Sequence, residues 1–155
     1  MNILVLCTGN SARSILLESI LNRDSRIDAY SAGSKPAGKV HPGALKLLSD
    51  KGFKTAKLRS KSWDEFGGAD APVMDAVITV CGNAANETCP MWPGAPVRAH
   101  WGVDDPAAAA EQDWDTAFAT AYDILNARAE MFLRLPFQQF TTHDLEEHLQ
   151  RIGQI

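Results

Sequence analysis

The chain alternates short apolar runs with longer stretches in which apolar residues recur every three or four positions. Ile3-Leu4-Val5-Leu6 is a continuous apolar run, the pattern of a strand buried on both faces, and predicts a first strand over 2–7. After Ser14 the apolar residues Leu16, Leu17, Ile20 and Leu21 repeat at helical spacing and predict a helix over 14–22. A second strand is predicted over 27–31, closed by Gly33 and Pro36. His41-Pro42-Gly43 opens a second helix, with Pro42 at an early helical position, Ala44, Leu45 and Leu48 toward the core, and Gly52 as its stop. Trp63-Asp64-Glu65-Phe66 predicts a short helix. Residues 74–80 form a third strand centred on Ala76-Val77-Ile78-Thr79-Val80, and 96–99 a short fourth. Trp114, Phe118, Ala121, Leu125, Ala129 and Phe132 mark a helix of roughly 20 residues. A last amphipathic helix covers 142–151, with Leu145, His148, Leu149 and Ile152 on one face.

Strands separated by helices predict an α/β fold, a parallel sheet covered on both faces. In such sheets ligands bind beyond the carboxyl ends of the strands. Cys7 closes the first strand and Cys81 follows the third, so both are predicted to face one crevice.

A length of 155 residues fits a single domain over 1–155, with 136–155 as a helical extension. The net charge of −4 argues against a broad surface for nucleic acid or an anionic membrane, so any anion site must be local. No basic leader with an apolar stretch opens the chain, and no run approaches the roughly 18 apolar residues of a membrane span. The expected location is the cytoplasm, where cysteines are more often catalytic or metal-binding than structural.

Cys7-Thr8-Gly9-Asn10-Ser11-Ala12-Arg13-Ser14, set between strand and helix, supplies such a local site. Gly9 and Asn10 tolerate the positive φ of a tight loop. The backbone N–H groups of the loop and the start of the helix are expected to hold a tetrahedral oxyanion over Thr8, Gly9, Asn10, Ser11, Ala12, Arg13 and Ser14. Arg13 adds a planar fork that grips oxyanions bidentately. The same field is expected to stabilise the Cys7 thiolate, the reactive form of the sulfur. A cysteine and an arginine at this spacing are a weak pattern alone, and a buried structural cysteine before a capped helix would share it. The strand–loop–helix setting favours the site.

Cys81 and Cys89 could each be small core residues. Their spacing, with His100 the nearest imidazole, fits no zinc pattern. Were 81–89 helical, the two Cα atoms would lie about 12 Å apart, whereas a disulfide needs roughly 4.4–6.8 Å. A Cys81–Cys89 bond would need this segment to unwind, and Gly82, Asn83, Asn86 and Pro90 make it a poor helix. Asp105 stands directly before Pro106 in His100-Trp101-Gly102-Val103-Asp104-Asp105-Pro106. An acid on a loop above a thiolate could protonate a leaving oxygen, although Asp-Asp-Pro also reads as a plain turn.

Taken together, Cys-Thr-Gly-Asn-Ser-Ala-Arg-Ser at 7–14, Tyr-Ser-Ala-Gly at 30–33, the strand end Ile78-Thr79-Val80-Cys81 and His-Trp-Gly at 100–102 with Asp105-Pro106 resemble the low-molecular-weight protein tyrosine phosphatase superfamily. Within it they are most similar to the thioredoxin-coupled arsenate reductases. The resemblance implies a four-stranded parallel sheet flanked by helices, with Cys7 as nucleophile, Arg13 as oxyanion clamp and Asp105 as general acid. Cys81 and Cys89 match the further cysteines of the relay. The implied activity is reduction of arsenate to arsenite in arsenic detoxification, with weak hydrolysis of phosphate esters through a phosphocysteine. The implied partners are arsenate or a phosphate-like oxyanion and an external thiol reductant: thioredoxin, or else glutaredoxin or a small thiol. No tightly bound cofactor is implied, though potassium could sit near Asn10, Glu18, Ser31 and Asp64.

Two departures stand out. Seven residues separate Cys81 from Cys89, a longer gap than the family's. Ala107-Ala108-Ala109 follow the Asp-Pro where tyrosine phosphatases carry aromatics, which favours a small inorganic substrate. A phosphatase acting on phosphotyrosine or small esters, and a non-catalytic oxyanion-binding module, are the alternatives.

Overall fold

The computed structural model describes residues 1–82 and 92–155. Four strands, β1 (Asn2–Cys7), β2 (Asp28–Gly33), β3 (Ala76–Thr79) and β4 (Val97–His100), form one parallel sheet in the order β2-β1-β3-β4. β1 pairs on both sides, with Leu4 opposite Tyr30 of β2 and opposite Val77 of β3. That central place explains its unbroken apolar run: Ile3, Leu4, Val5 and Leu6 are all fully buried.

Alternate residues of β1 feed two cores. Ile3, Val5 and Cys7 pack into the larger one. It is built with α1 (Arg13–Leu21), α2 (Pro42–Asp50), α3 (Trp114–Leu133) and α4 (Thr142–Gly153). Leu4 and Leu6 face a smaller cluster with Phe66, Met74, Val77 and Trp92, backed by Trp63 from the short 3-10 helix Trp63–Phe66. Both faces are therefore covered, unequally.

Two strand ends differ from the sequence expectation for local reasons. β2 runs on to Gly33, alongside Cys7, because that glycine lets the loop after β1 approach closely: a Cβ there would stand 2.3 Å from the Thr8 carbonyl oxygen. β3 is shorter than 74–80, yet its bonding continues past Thr79, since the Val80 N–H donates to the Leu6 carbonyl at 3.0 Å. The carboxyl ends stay laced beyond the ladder. Trp101 N–H donates to Thr79 at 2.7 Å and Val103 N–H to Val80 at 3.2 Å.

The helix over the chain's last residues serves the same end of the sheet. α4 opens on a capping box between Thr141 and Asp144. Its Leu149 carbonyl accepts the Trp101 indole N–H at 2.8 Å, and its Gly153 lies where a Cβ would be 2.2 Å from the His100 carbonyl oxygen. Arg128 of α3 donates to the Gly102 and Ile155 carbonyls at 3.0 and 3.1 Å. The segment that carries Asp105 is thereby anchored from two helices. No helix among the described residues is long and apolar enough to cross a membrane.

Candidate active site

Cys7 is the last residue of β1, and the loop 8–12 leads into α1 at Arg13. The loop's carbonyls are used from outside. Thr8, Gly9 and Ser11 accept from the N–H groups of Lys35, Ala37 and His41 at 3.0, 2.9 and 2.9 Å, and Ser60 Oγ adds a second bond to Gly9 at 3.1 Å. None of the described peptide bonds is cis, and a planar trans peptide sets its C=O and N–H on opposite sides. The N–H groups of Gly9, Asn10 and Ala12 therefore face the other side of the loop, the geometry an oxyanion cradle needs.

Asn10 holds the turn. Its φ of 44° is the left-handed conformation that asparagine tolerates. Its amide, fully buried, donates to Ser14 Oγ at 2.8 Å and Ser31 Oγ at 2.9 Å and accepts from the Lys61 N–H at 3.0 Å. Ser14 is thus a support of the loop through its hydroxyl.

Arg13 reaches across to the loop after β4. Its guanidinium donates to the Val103 carbonyl at 2.9 Å and lies 3.6 Å from Asp105 Oδ2. The arginine is mostly covered while Asp105 is 43% exposed, open enough to exchange protons with a bound group. The other Asp105 oxygen accepts from the Ala107 N–H at 3.0 Å, which fixes the carboxylate at the start of the short turn over 106–108. Asp104 is exposed.

The structure brings Cys81 to Cys7. Both thiols are buried, and the Thr8 hydroxyl stands 3.6 Å from the Cys81 sulfur. The expected lowering of the Cys7 pKa needs correction. The neighbouring Cys81 thiol and burial push the Cys7 thiol well above its usual range, outweighing the Arg13 guanidinium and the Thr8 N–H that pull it down. A charge on Cys81 also opposes one on Cys7. Cys89 lies outside the described residues.

The potassium expectation also needs correction. Asn10 and Ser31 meet behind the loop, and Glu18 lies beside Ser31. Asp64, however, is exposed on the 3-10 helix. The buried ammonium of Lys61 lies 3.4 Å from Ser31 Oγ and donates to the Arg59 carbonyl at 3.0 Å. A monovalent cation does not fit among donors already turned to an ammonium. Among the described residues, no group of three or more His, Cys, Asp and Glu side chains could hold a metal ion. The sequence offered no signal for Lys61, Ser60 or Arg128, whose partners are remote along the chain.

A cysteine at the end of a central parallel strand, an N–H-lined loop, an arginine and an aspartate from the loop after β4 make an arrangement suited to thiol chemistry on tetrahedral oxyanions. Residues 2–150 match the family of low molecular weight phosphotyrosine protein phosphatases, and the chain belongs to it. It is 36% identical over 132 residues to an arsenate reductase of Halalkalibacterium halodurans, covering 82% of this chain and 91% of that protein. The crystal structure of an arsenate reductase from Archaeoglobus fulgidus is similar with a TM-score of 0.62 and 26% identity, over 83% of this chain and 98% of that one. A thioredoxin-dependent arsenate reductase of Corynebacterium glutamicum shares the fold, with a TM-score of 0.62 and 22% identity, over 86% of this chain and 60% of that one.

Proposed function

We propose that this chain reduces arsenate to arsenite through a cysteine relay, with thioredoxin as the external reductant and the cytoplasm as its place of work. The observation that carries the reading is the second buried thiol, Cys81, set beside Cys7 at the mouth of the oxyanion loop. A second thiol in contact with the nucleophile has no part in hydrolysis and is what reduction requires.

Arsenate enters the loop with its oxygens on the N–H groups of Gly9, Asn10 and Ala12 and on the Arg13 fork. Cys7 sulfur bonds to arsenic as an arsenic–oxygen bond breaks. The thiol proton and the departing hydroxyl leave as water, with Asp105 handing on the proton. The raised Cys7 pKa suits this condensation, since the thiol itself brings the proton that Asp105 hands to the departing oxygen. Cys81 sulfur then attacks Cys7 sulfur. The sulfur–arsenic bond breaks toward arsenic, which gains two electrons and departs as arsenite, while a Cys7–Cys81 disulfide forms and the Cys81 proton goes to the arsenite oxygen. Cys89 attacks Cys81 next, releasing the Cys7 thiol and leaving a Cys81–Cys89 disulfide for the thioredoxin dithiol to reduce.

Cys7, Arg13 and Asp105 alone suffice to hydrolyse a phosphate ester, so a phosphatase is the second reading, favoured by the family. Arsenate-dependent oxidation of reduced thioredoxin by the purified protein, with glutaredoxin run beside it, is the test. Cys81→Ser should abolish arsenate turnover and spare hydrolysis of p-nitrophenyl phosphate. Wild-type hydrolysis with no arsenate turnover under either reductant would move the assignment to the phosphatase.

A further inference from the structure

Behind the oxyanion loop lies a buried ammonium that none of the steps above uses. Lys61 is 8% exposed, unusual for a lysine, and burying an ammonium is costly unless partners replace its water. Here they do. Its Nζ meets Ser31 Oγ at 3.4 Å and the Arg59 carbonyl at 3.0 Å. The Glu18 carboxylate lies close enough to attract the Lys61 charge, which opposes the effect of burial on both groups.

The Ser31 hydroxyl accepts from both Asn10 and Lys61. The Lys61 backbone closes the circuit, its N–H on Asn10 Oδ1 at 3.0 Å and its carbonyl on the Gly33 N–H at 2.9 Å. One residue thus grips both sides of the loop's support, Asn10 within the loop and Gly33 beside Cys7.

We propose that Lys61 is a built-in cation, a positioning residue whose ammonium and backbone together hold Ser31, Glu18 and Asn10 so that the loop binds its oxyanion without any added potassium. The arrangement is self-contained. A free cation must be collected from solution, whereas this one is tethered to the strand support it orders. The inference rests on the oxyanion-loop reading but not on arsenate reduction, because loop order is read by phosphate binding alone.

The test compares phosphate affinity, by calorimetry, and the arsenate KM and kcat of the full chain in potassium chloride and in tetramethylammonium chloride at equal ionic strength. The wild type should show the same values in both, within about twofold. Lys61→Ala should raise the phosphate Kd and the arsenate KM by about tenfold in tetramethylammonium, with a smaller effect on kcat. Potassium should recover much of the loss, by entering the vacated space. Lys61→Met, neutral but of similar length, should lose the same affinity and gain nothing from potassium. It carries the reading if Lys61→Ala does not fold, as judged by circular dichroism.

A wild-type enzyme that weakens threefold or more without potassium overturns the proposal. So do lysine variants that bind phosphate like the wild type, or a Lys61→Ala loss that potassium leaves untouched. Phosphate binding that behaves as stated in a chain that reduces no arsenate would leave Lys61 in place and remove only the reductase reading.

Discussion

Replacing Asn10 with alanine should be among the most damaging single changes outside the apolar core. The side chain is fully buried and makes three hydrogen bonds, to Ser14, Ser31 and the Lys61 N–H, at 2.8, 2.9 and 3.0 Å. The serine hydroxyls can turn to other partners, so their loss costs little beyond the bonds themselves, about 0.5–1.5 kcal/mol each. The Lys61 N–H cannot turn, and stranding it costs about 1–3 kcal/mol. Alanine at a φ of 44° adds left-handed strain of about 1–2 kcal/mol. Summed with partial relaxation, Asn10→Ala should lose about 4 kcal/mol, a large share of the ordinary 5–15 kcal/mol of a domain. For a chain of this size that is a fall of about 8–16 °C in Tm. Asn10→Gly loses the same bonds without the strain and should be less harmful by about 1 kcal/mol. Urea unfolding followed by fluorescence, with phosphate affinity measured beside it, reads both. A loss under about 1.5 kcal/mol for Asn10→Ala, or a glycine variant worse than the alanine one, would refute the account of the loop as pinned through this amide.

Other expectations follow from single contacts. Cys81→Ala removes the largest influence raising the Cys7 pKa, so iodoacetamide should alkylate Cys7 from a lower pH than in the wild type; an unchanged profile would show that burial alone sets it. Asp105→Asn should slow the first chemical step by roughly 10²–10⁴, and Asp104→Asn far less, because only Asp105 lies beside the Arg13 clamp; equal effects in single-turnover assays would undo that assignment. Burial holds the His41 imidazole below its usual pKa, and its Nδ1 accepts the Gly43 N–H at 2.9 Å to cap α2. The folded chain therefore binds this proton less tightly than the unfolded one, and stability should fall as pH drops below about 6.5. His41→Asn, which caps without titrating, should shrink the difference in urea midpoint between about pH 8 and about pH 5.5. An undiminished difference would place the acid sensitivity elsewhere.

What could be read in the sequence and what could not divide along the range of the interactions. β1 announces itself because a strand paired on both sides must be apolar throughout, and α3 because Trp114 to Phe132 keeps one periodicity over 20 residues. The Cys7 loop is local too, and so was its chemistry, although not its balance. The influence of Cys81 on the Cys7 thiol depends on two strand ends meeting, and no spacing along the chain reveals how strong that contact is. The extent of β2 was hidden for the same reason, since Gly33 belongs to the strand through its approach to Thr8. Lys61 shows the limit most clearly. In the sequence it is a lysine between two serines, the composition of a solvated loop. Only the parallel bridge between Gly33 and Ser62 turns that segment inward and delivers an ammonium to Ser31. The reacting groups thus come from motifs that can be read in order along the chain, while the groups that hold them come from wherever the sheet happens to bring a backbone alongside. The supports, Lys61 behind the loop and Arg128 under the Asp105 segment, act through partners 51 and 26 residues away, a distance no local motif spans.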